Sequence, residues 1–209
     1  MHGTVSQKIG RVLGNLVLHP QYISRCLAHN VINGKTPLDL EIPWFSYAAI
    51  DFLKEFVQPE MTVFEYGSGG STLFFARRAK EVLSVEDNPQ WFNWVSRRLA
   101  EKNLTNATLK LCEFDFKEPV GFENSDYFLA LPDRKFDIIV VDGSEEWTHV
   151  RPVCFERAES RINPGGIIVV DDSWRYQVLR QNHHAKDLKI FQSVGPCRPG
   201  VTSTDVFFY

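Results

Sequence analysis

Two runs of aliphatic and β-branched residues constrain the fold more than any other feature of the chain. The sequences DIIVVD (137–142) and GIIVVDD (166–172) are almost continuously apolar before each one ends in aspartate. A strand with one face in water alternates apolar and polar residues, whereas a strand covered on both faces does not. The two runs therefore predict central strands of a parallel sheet in an α/β fold.

Further runs of the same kind, separated by helical stretches, extend this sheet. Three lie at residues 62–66, 81–86 and 107–112. Two more, at 187–194 and 203–209, flank a turn and predict a C-terminal antiparallel hairpin on the sheet edge. Strands that alternate with helices imply right-handed crossovers. We therefore expect a doubly wound, mostly parallel, seven-stranded Rossmann-like sheet.

The chain before this pattern differs from the rest. We expect residues 46–209 to form one domain. Residues 1–45 are expected to form a helical extension that belongs to this domain. Pro43 is expected to start a helix, because proline suits the first helical turn. The extension either folds over a ligand pocket or makes a homodimer contact, and the pattern leaves both open. Trp44 and Tyr47 are candidates for the wall of a substrate pocket, since each offers a flat ring with a polar atom.

Composition and charge exclude several classes of protein. The 209 residues include 23 Lys and Arg against 26 Asp and Glu, a net charge of −3. Such a chain is a poor candidate for binding nucleic acid through its phosphates. No apolar run approaches the roughly 20 residues that a membrane-spanning helix needs. The start lacks the pattern of a secretory signal and the four cysteines stand far apart, so we expect a cytoplasmic protein.

A glycine-rich bend, EYGSGGST, follows the first strand. Glycines there let the chain turn tightly and let a ligand approach the backbone. A dinucleotide site would have Gly-x-Gly-x-x-Gly, but Thr72 replaces the third glycine, and Glu65 would repel a pyrophosphate. The candidate ligand residues of the bend are Glu65, Tyr66, Gly67, Ser68, Gly69, Ser71 and Thr72.

A second acid follows the next strand. Glu86 lies 19 residues after Gly67, where a carboxylate can accept hydrogen bonds from the ribose hydroxyls of a nucleotide. Together, Glu65 and Glu86 suit a nucleoside that carries a positively charged tail.

The ordered set of motifs resembles that of class I S-adenosylmethionine-dependent methyltransferases over about residues 60–175. The segments that carry the resemblance are EYGSGGST, SVED, VVDG and NPGGIIVVDD. It implies that Glu65 and the bend face the methionine part of the cofactor, that Glu86 binds the ribose and that Asp87 lies at the rim. For adenine, the resemblance implies an acid or amide after the third strand. Glu113 and Asp115 remain alternatives there, with Phe114 as a stacking neighbour.

Three acids follow the fourth and fifth strands, namely Asp142, Asp171 and Asp172. Carboxylates that share one crevice repel each other, which raises a pKa or recruits a hard cation such as Mg²⁺. The pattern is similar to that of cation-dependent, catechol-type O-methyltransferases, which implies that these acids hold the metal and that the metal orients a substrate hydroxyl. That family commonly has a lysine base after the first acid. This chain instead offers His149 as general base, so the candidate catalytic residues are Asp142, His149 and Asp171.

The predicted activity is methyl transfer from S-adenosylmethionine to a small molecule, at a hydroxyl oxygen, with or without a divalent cation. Asp142 is a candidate for cofactor contact, because in metal-free relatives the resemblance implies that acids at these strand ends contact the sulfonium region or cap a helix. Trp147 and Trp174 follow strand ends and join the candidates for substrate contact. Two alternatives stand beside this prediction. One is an NAD(P)-dependent Rossmann oxidoreductase, and the other is a non-catalytic nucleoside-binding protein of methyltransferase fold.

Overall fold

A seven-stranded sheet forms the centre of the protein in a computed structural model that describes residues 4–29, 32, 34–117, 120–143 and 149–209. The strands are β1 (Thr62–Tyr66), β2 (Glu81–Glu86), β3 (Ala107–Leu111), β4 (Phe136–Val141), β5 (Ile162–Val170), β6 (Asp187–Val194) and β7 (Val201–Phe208). The helices are α1 (Val5–Leu18), α2 (Ile23–Ala28), α3 (Pro37–Leu40), α4 (Tyr47–Phe56), α5 (Gly70–Ala76), α6 (Pro89–Glu101), α7 (Asp126–Leu129) and α8 (Val150–Glu159).

The strand order is β3-β2-β1-β4-β5-β7-β6. Strands β1 to β5 are parallel, and β7 runs antiparallel between β5 and β6. This confirms the predicted doubly wound sheet with a terminal hairpin. The order reverses between β1 and β4, and in open α/β sheets ligands bind at the carboxyl ends of the strands beside such a reversal.

Burial on both faces of the sheet explains the continuous apolar runs. Phe64 and Tyr66 of β1 pack into the core on one face, and Val63 packs into the core on the other. Residues of one strand alternate between the two faces. Glu65 therefore lies on the Val63 face, beneath the helices that cover it.

The helix predicted to start at Pro43 begins later than expected. α4 starts at Tyr47, with the Ser46 hydroxyl accepting a hydrogen bond from the Ala49 amide at 3.3 Å, so the prediction that Pro43 starts it was wrong. The physical reason is a long-range contact. The Ser46 amide donates to the Thr204 hydroxyl at 3.1 Å, which holds this residue in an extended conformation.

The N-terminal helix α1 packs against the terminal hairpin. Its Asn15 side chain accepts a hydrogen bond from the Val194 amide at 3.1 Å. The opposite side of α1 leaves Ile9, Leu13 and Val17 more than half exposed. A homodimer contact through this extension stays a prediction. In the part of the chain that the structure describes, no helix has the length and apolarity needed to cross a membrane.

Candidate functional site

A cavity of about 860 Å³ lies at the carboxyl ends of β1, β2, β4 and β5. Its walls come from the glycine bend, the strand ends, the N-terminal extension and the turn between β6 and β7. The volume falls within the roughly 300–1,000 Å³ typical of small-molecule sites. The cavity is therefore large enough for a nucleoside cofactor.

The bend after β1 fits closely against the end of β4. Gly67 has a φ of +91°, and a Cβ added there would lie 2.7 Å from the Asp142 carbonyl oxygen. The Asp142 amide donates to the Tyr66 carbonyl at 3.0 Å, which ties the two strand ends together. Only glycine satisfies both the left-handed backbone and this close approach.

Replacing Gly67 with alanine is expected to destabilise the fold and to weaken ligand binding. The left-handed backbone alone costs roughly 1–3 kcal/mol, and the clash with Asp142 adds to it. Gly121 provides a matched control, since its φ is +76° but an added Cβ meets nothing within 4 Å. Denaturant unfolding of both variants measures the difference. Equal losses in Gly67→Ala and Gly121→Ala would contradict the importance of the close approach.

Glu86 connects the end of β2 to the bend. Its carboxylate accepts from the Ser68 hydroxyl at 2.6 Å, the Ser68 amide at 3.1 Å and the Asn88 amide at 3.1 Å. The side chain is nearly buried but lines the cavity, beside Asp87. Burial raises the pKa of Glu86, and the hydrogen bonds from Ser68 oppose that shift.

Trp91 lines the cavity, although its sequence pattern does not indicate a ligand contact. It lies in the first turn of α6, and its indole Nε1 donates to the Ser68 carbonyl at 2.7 Å. Its ring lies beside Gly69 at the cavity wall. The residue belongs to the apolar stripe of an amphipathic helix, so spacing alone indicates a core position.

Three predicted residues of the bend do not line the cavity. Glu65 is fully buried and accepts a hydrogen bond from the Ser84 hydroxyl at 2.6 Å, and burial raises its pKa. Tyr66 donates to the Phe128 carbonyl at 2.8 Å within the core. The Thr72 hydroxyl accepts from the Gly69 amide at 3.1 Å. These side chains shape the bend from behind, whereas Gly67, Ser68, Gly69 and Ser71 face the cavity.

The candidates for the adenine site also lie away from the described cavity wall. Glu113 is exposed. Phe114 packs against Phe116, with ring centres 5.1 Å apart, and Asp115 accepts from the Lys117 amide at 2.9 Å. None of the three predicted residues lines the cavity, and their adenine contact stays a prediction.

The three acids after β4 and β5 meet at the cavity as predicted, but two arginines accompany them. Asp142 lies 3.1 Å from the guanidinium of Arg151. Arg198 lies 2.9 Å from Asp172 and 3.3 Å from Asp171. Burial raises the pKa of Asp142 well above its usual range and that of Asp171 to about 6, with the nearby arginines opposing both shifts.

The predicted divalent-cation site does not fit this arrangement. Asp172 also accepts from the Thr202 hydroxyl at 2.6 Å and the Trp174 indole at 3.2 Å, and Asp171 accepts from the Thr204 hydroxyl at 2.6 Å. These hydrogen bonds and the two arginines already compensate the charge of the acids that a metal would bind. Among the described residues, no three His, Cys, Asp or Glu side chains are placed to hold a metal ion.

The remaining predicted residues divide between the cavity and other places. Trp44 and Trp174 lie at the cavity wall. Tyr47 is fully buried and its hydroxyl contacts the Arg25 carbonyl and the His29 ring, both at 3.2 Å, so it is a core residue. His149 is exposed at the start of α8 and does not line the cavity. Trp147 lies outside the described residues.

A glycine bend and an acid beside the reversal point of a 3-2-1-4-5-7-6 sheet define a class of α/β proteins with a nucleoside-sized site. The family model described as "Methyltransferase domain" matches residues 64–173, more than half of the chain. The protein belongs to this family. A comparison of the sequence with curated proteins gave no significant match.

Solved structures share the fold at low sequence identity. Cofactor-bound Rv0187 from MTB has a TM-score of 0.59 and 18% identity, covering 82% of this chain and 85% of its own. An O-methyltransferase from Bacillus cereus in complex with SAH (S-adenosylhomocysteine) has a TM-score of 0.53 and 17% identity, covering 71% and 73%. An rRNA methylase from Streptococcus thermophilus has a TM-score of 0.55 and 16% identity, covering 83% and 97%. These similarities establish the fold alone.

Proposed function

We propose that the protein binds S-adenosylmethionine in the cavity and transfers its methyl group to a hydroxyl oxygen of a small molecule. Membership of the methyltransferase family supports the reaction class. The NAD(P)-dependent alternative lacks this support, and the bend with Thr72 in place of a third glycine is unsuited to a dinucleotide.

The position of Glu86 carries the proposal. Three hydrogen bonds use three of the roughly four acceptor positions of a carboxylate. The remaining position is available to a ribose hydroxyl. A nearly buried acid that faces a cavity beside a glycine bend is the arrangement that a ribose requires.

The part of the cavity at the ends of β4 and β5 supplies candidate bases for an acceptor hydroxyl. Asp142 and Asp171 line it, and burial makes both carboxylates stronger bases than exposed aspartates. In the reaction, the sulfur–carbon bond breaks as the oxygen–carbon bond forms, and a carboxylate takes the hydroxyl proton. S-adenosylhomocysteine is the second product. Positioning of the hydroxyl in line with the sulfonium provides much of the acceleration.

Methyl transfer is expected to proceed without a divalent cation. Guanidinium groups already compensate the acids that a metal would bind, so chelation removes nothing that the reaction needs. Turnover measured with and without EDTA should agree. Loss of turnover in EDTA that added Mg²⁺ restores would contradict this expectation.

Calorimetric titration and a labelled-methyl assay test the function. We expect S-adenosylhomocysteine to bind saturably, NADH to show no saturable binding, and labelled methyl groups to transfer to hydroxylated small molecules. Binding of NADH in place of S-adenosylhomocysteine would overturn the proposal. Binding of S-adenosylhomocysteine without transfer to any acceptor would favour the non-catalytic alternative.

A further inference from the structure

Among the described residues that line the cavity, basic side chains outnumber acidic ones. Arg151 and Arg198 accompany the three aspartates after β4 and β5. Two further acids, Glu86 and Asp87, lie at the end of β2. Four more basic side chains from other elements also line the cavity: Lys8, Arg11, Lys35 and Arg175.

The four basic side chains come from three parts of the chain. Lys35 precedes Pro37 by two residues, and the Pro37 carbonyl packs against Gly70 at the start of α5. This places Lys35 near the glycine bend, the part of the cavity that the resemblance assigns to the methionine part of the cofactor. Lys8 and Arg11 are three residues apart on α1, so they share one side of that helix. Arg175 follows β5, and its guanidinium lies 4.8 Å from the centre of the Trp174 ring.

Resting on the proposed function, we infer that the methyl acceptor carries an anionic group, a carboxylate or a phosphate, which Lys8, Arg11 and Arg175 bind. Trp44 and Trp174 would then contact the rest of the acceptor. Both rings lie against arginines, since the Arg198 guanidinium is 5.2 Å from the centre of the Trp44 ring. An aromatic ring that lies against a guanidinium helps to hold the arginine side chain in place.

Charge balance supports an anionic acceptor. Of the described residues that line the cavity, six are basic and five are acidic. S-adenosylmethionine brings a sulfonium, an ammonium and a carboxylate, so it adds one net positive charge. Like charges in a partly enclosed cavity repel each other. An anionic acceptor relieves this repulsion, whereas a neutral acceptor leaves it in place.

The observations favour a small anion over a nucleic acid. The chain as a whole has a net charge of −3, while recognition of a phosphate backbone relies on an extended basic surface. The excess of basic groups described above belongs to a cavity of about 860 Å³. Preferential binding of RNA is therefore tested below as a result that would contradict the inference.

Calorimetric titration of the protein saturated with S-adenosylhomocysteine tests the inference with three probes. These are para-hydroxybenzoate, its neutral analogue para-hydroxybenzamide, and inorganic phosphate. We expect the benzoate to bind about tenfold more tightly than the amide. Saturable binding of phosphate that exceeds binding of the benzoate would identify the anion as a phosphate, and the reverse order would identify a carboxylate.

Two variants then test which residues bind the anion. In the double variant Lys8→Glu/Arg11→Glu, the ratio of the affinity for the benzoate to that for the amide is expected to fall about tenfold. In Arg175→Gln, the same ratio is expected to fall by a smaller factor. Lys8, Arg11 and Arg175 are exposed, so these changes should leave the fold intact. Lys135→Glu is the matched control, because Lys135 is an exposed residue that precedes β4, at the end of the strand away from the cavity.

Three results would overturn the inference while S-adenosylhomocysteine still binds. They are equal binding of the benzoate and the amide with no binding of phosphate, an unchanged preference in the double variant, and tighter binding of a single-stranded RNA oligonucleotide than of any small probe. Failure of S-adenosylhomocysteine to bind the wild-type protein would instead contradict the proposed function, and the two failures are thereby distinguished.

Discussion

Replacing Arg151 with methionine is expected to lower the free energy of unfolding by about 3–5 kcal/mol, the cost of leaving a buried charge without its partner. The Arg151 side chain is 3% exposed. It donates to the Gly143 carbonyl at 2.7 Å and the Asp171 carbonyl at 2.7 Å, besides its pairing with Asp142. A side chain from α8 therefore joins the ends of β4 and β5 where both enter the cavity.

Arg157 on the same helix provides the control. It donates to the Leu131 carbonyl at 2.9 Å, a neutral acceptor, so Arg157→Met should cost about 1 kcal/mol. Denaturant unfolding measures both variants. Losses of equal size would show that the contacts of Arg151 at the strand ends contribute no more than an ordinary hydrogen bond.

Replacing Glu86 with alanine is expected to weaken binding of S-adenosylhomocysteine by about 1.5–3 kcal/mol, which is the usual contribution of hydrogen bonds to a charged group. The substitution removes the proposed ribose acceptor and also releases Ser68 of the glycine bend. Calorimetric titration of folded protein gives the difference in affinity.

Glu81→Ala is the matched control for this prediction. Glu81 lies at the other end of β2, where it forms a surface ion pair with Arg134 at 2.7 Å. Its replacement should leave the affinity unchanged, since the residue is remote from the cavity. The assignment of Glu86 to the ribose would be contradicted if both variants bound S-adenosylhomocysteine as tightly as the wild-type protein.

The sheet was predictable from sequence because its signals are local. Burial on both faces produces continuous apolar runs such as 137–142, and Asn88 caps α6 by accepting from the Trp91 amide at 3.0 Å. The fifth strand nevertheless starts four residues before the predicted 166, at Ile162, which pairs with Phe136 across a register shift. That pairing depends on a partner strand and has no local signal.

The site was predictable only in part, because its side chains depend on contacts between distant segments. Arg198 lies in the turn between β6 and β7 and reaches Asp172, 26 residues earlier in the chain. No motif indicates that contact, and without it the three acids suggest a metal. The position of Glu65 on the face opposite Tyr66 follows from strand alternation, but its burial beneath α5 depends on how that helix packs.

A crystal structure of the complex with S-adenosylhomocysteine would show where the nucleoside binds. We expect the nucleoside in the cavity at the strand ends, with a ribose hydroxyl within hydrogen-bond distance of the Glu86 carboxylate and the sulfur directed toward Asp142. A nucleoside bound elsewhere on the protein, or a ribose with no contact to Glu86, would contradict this placement.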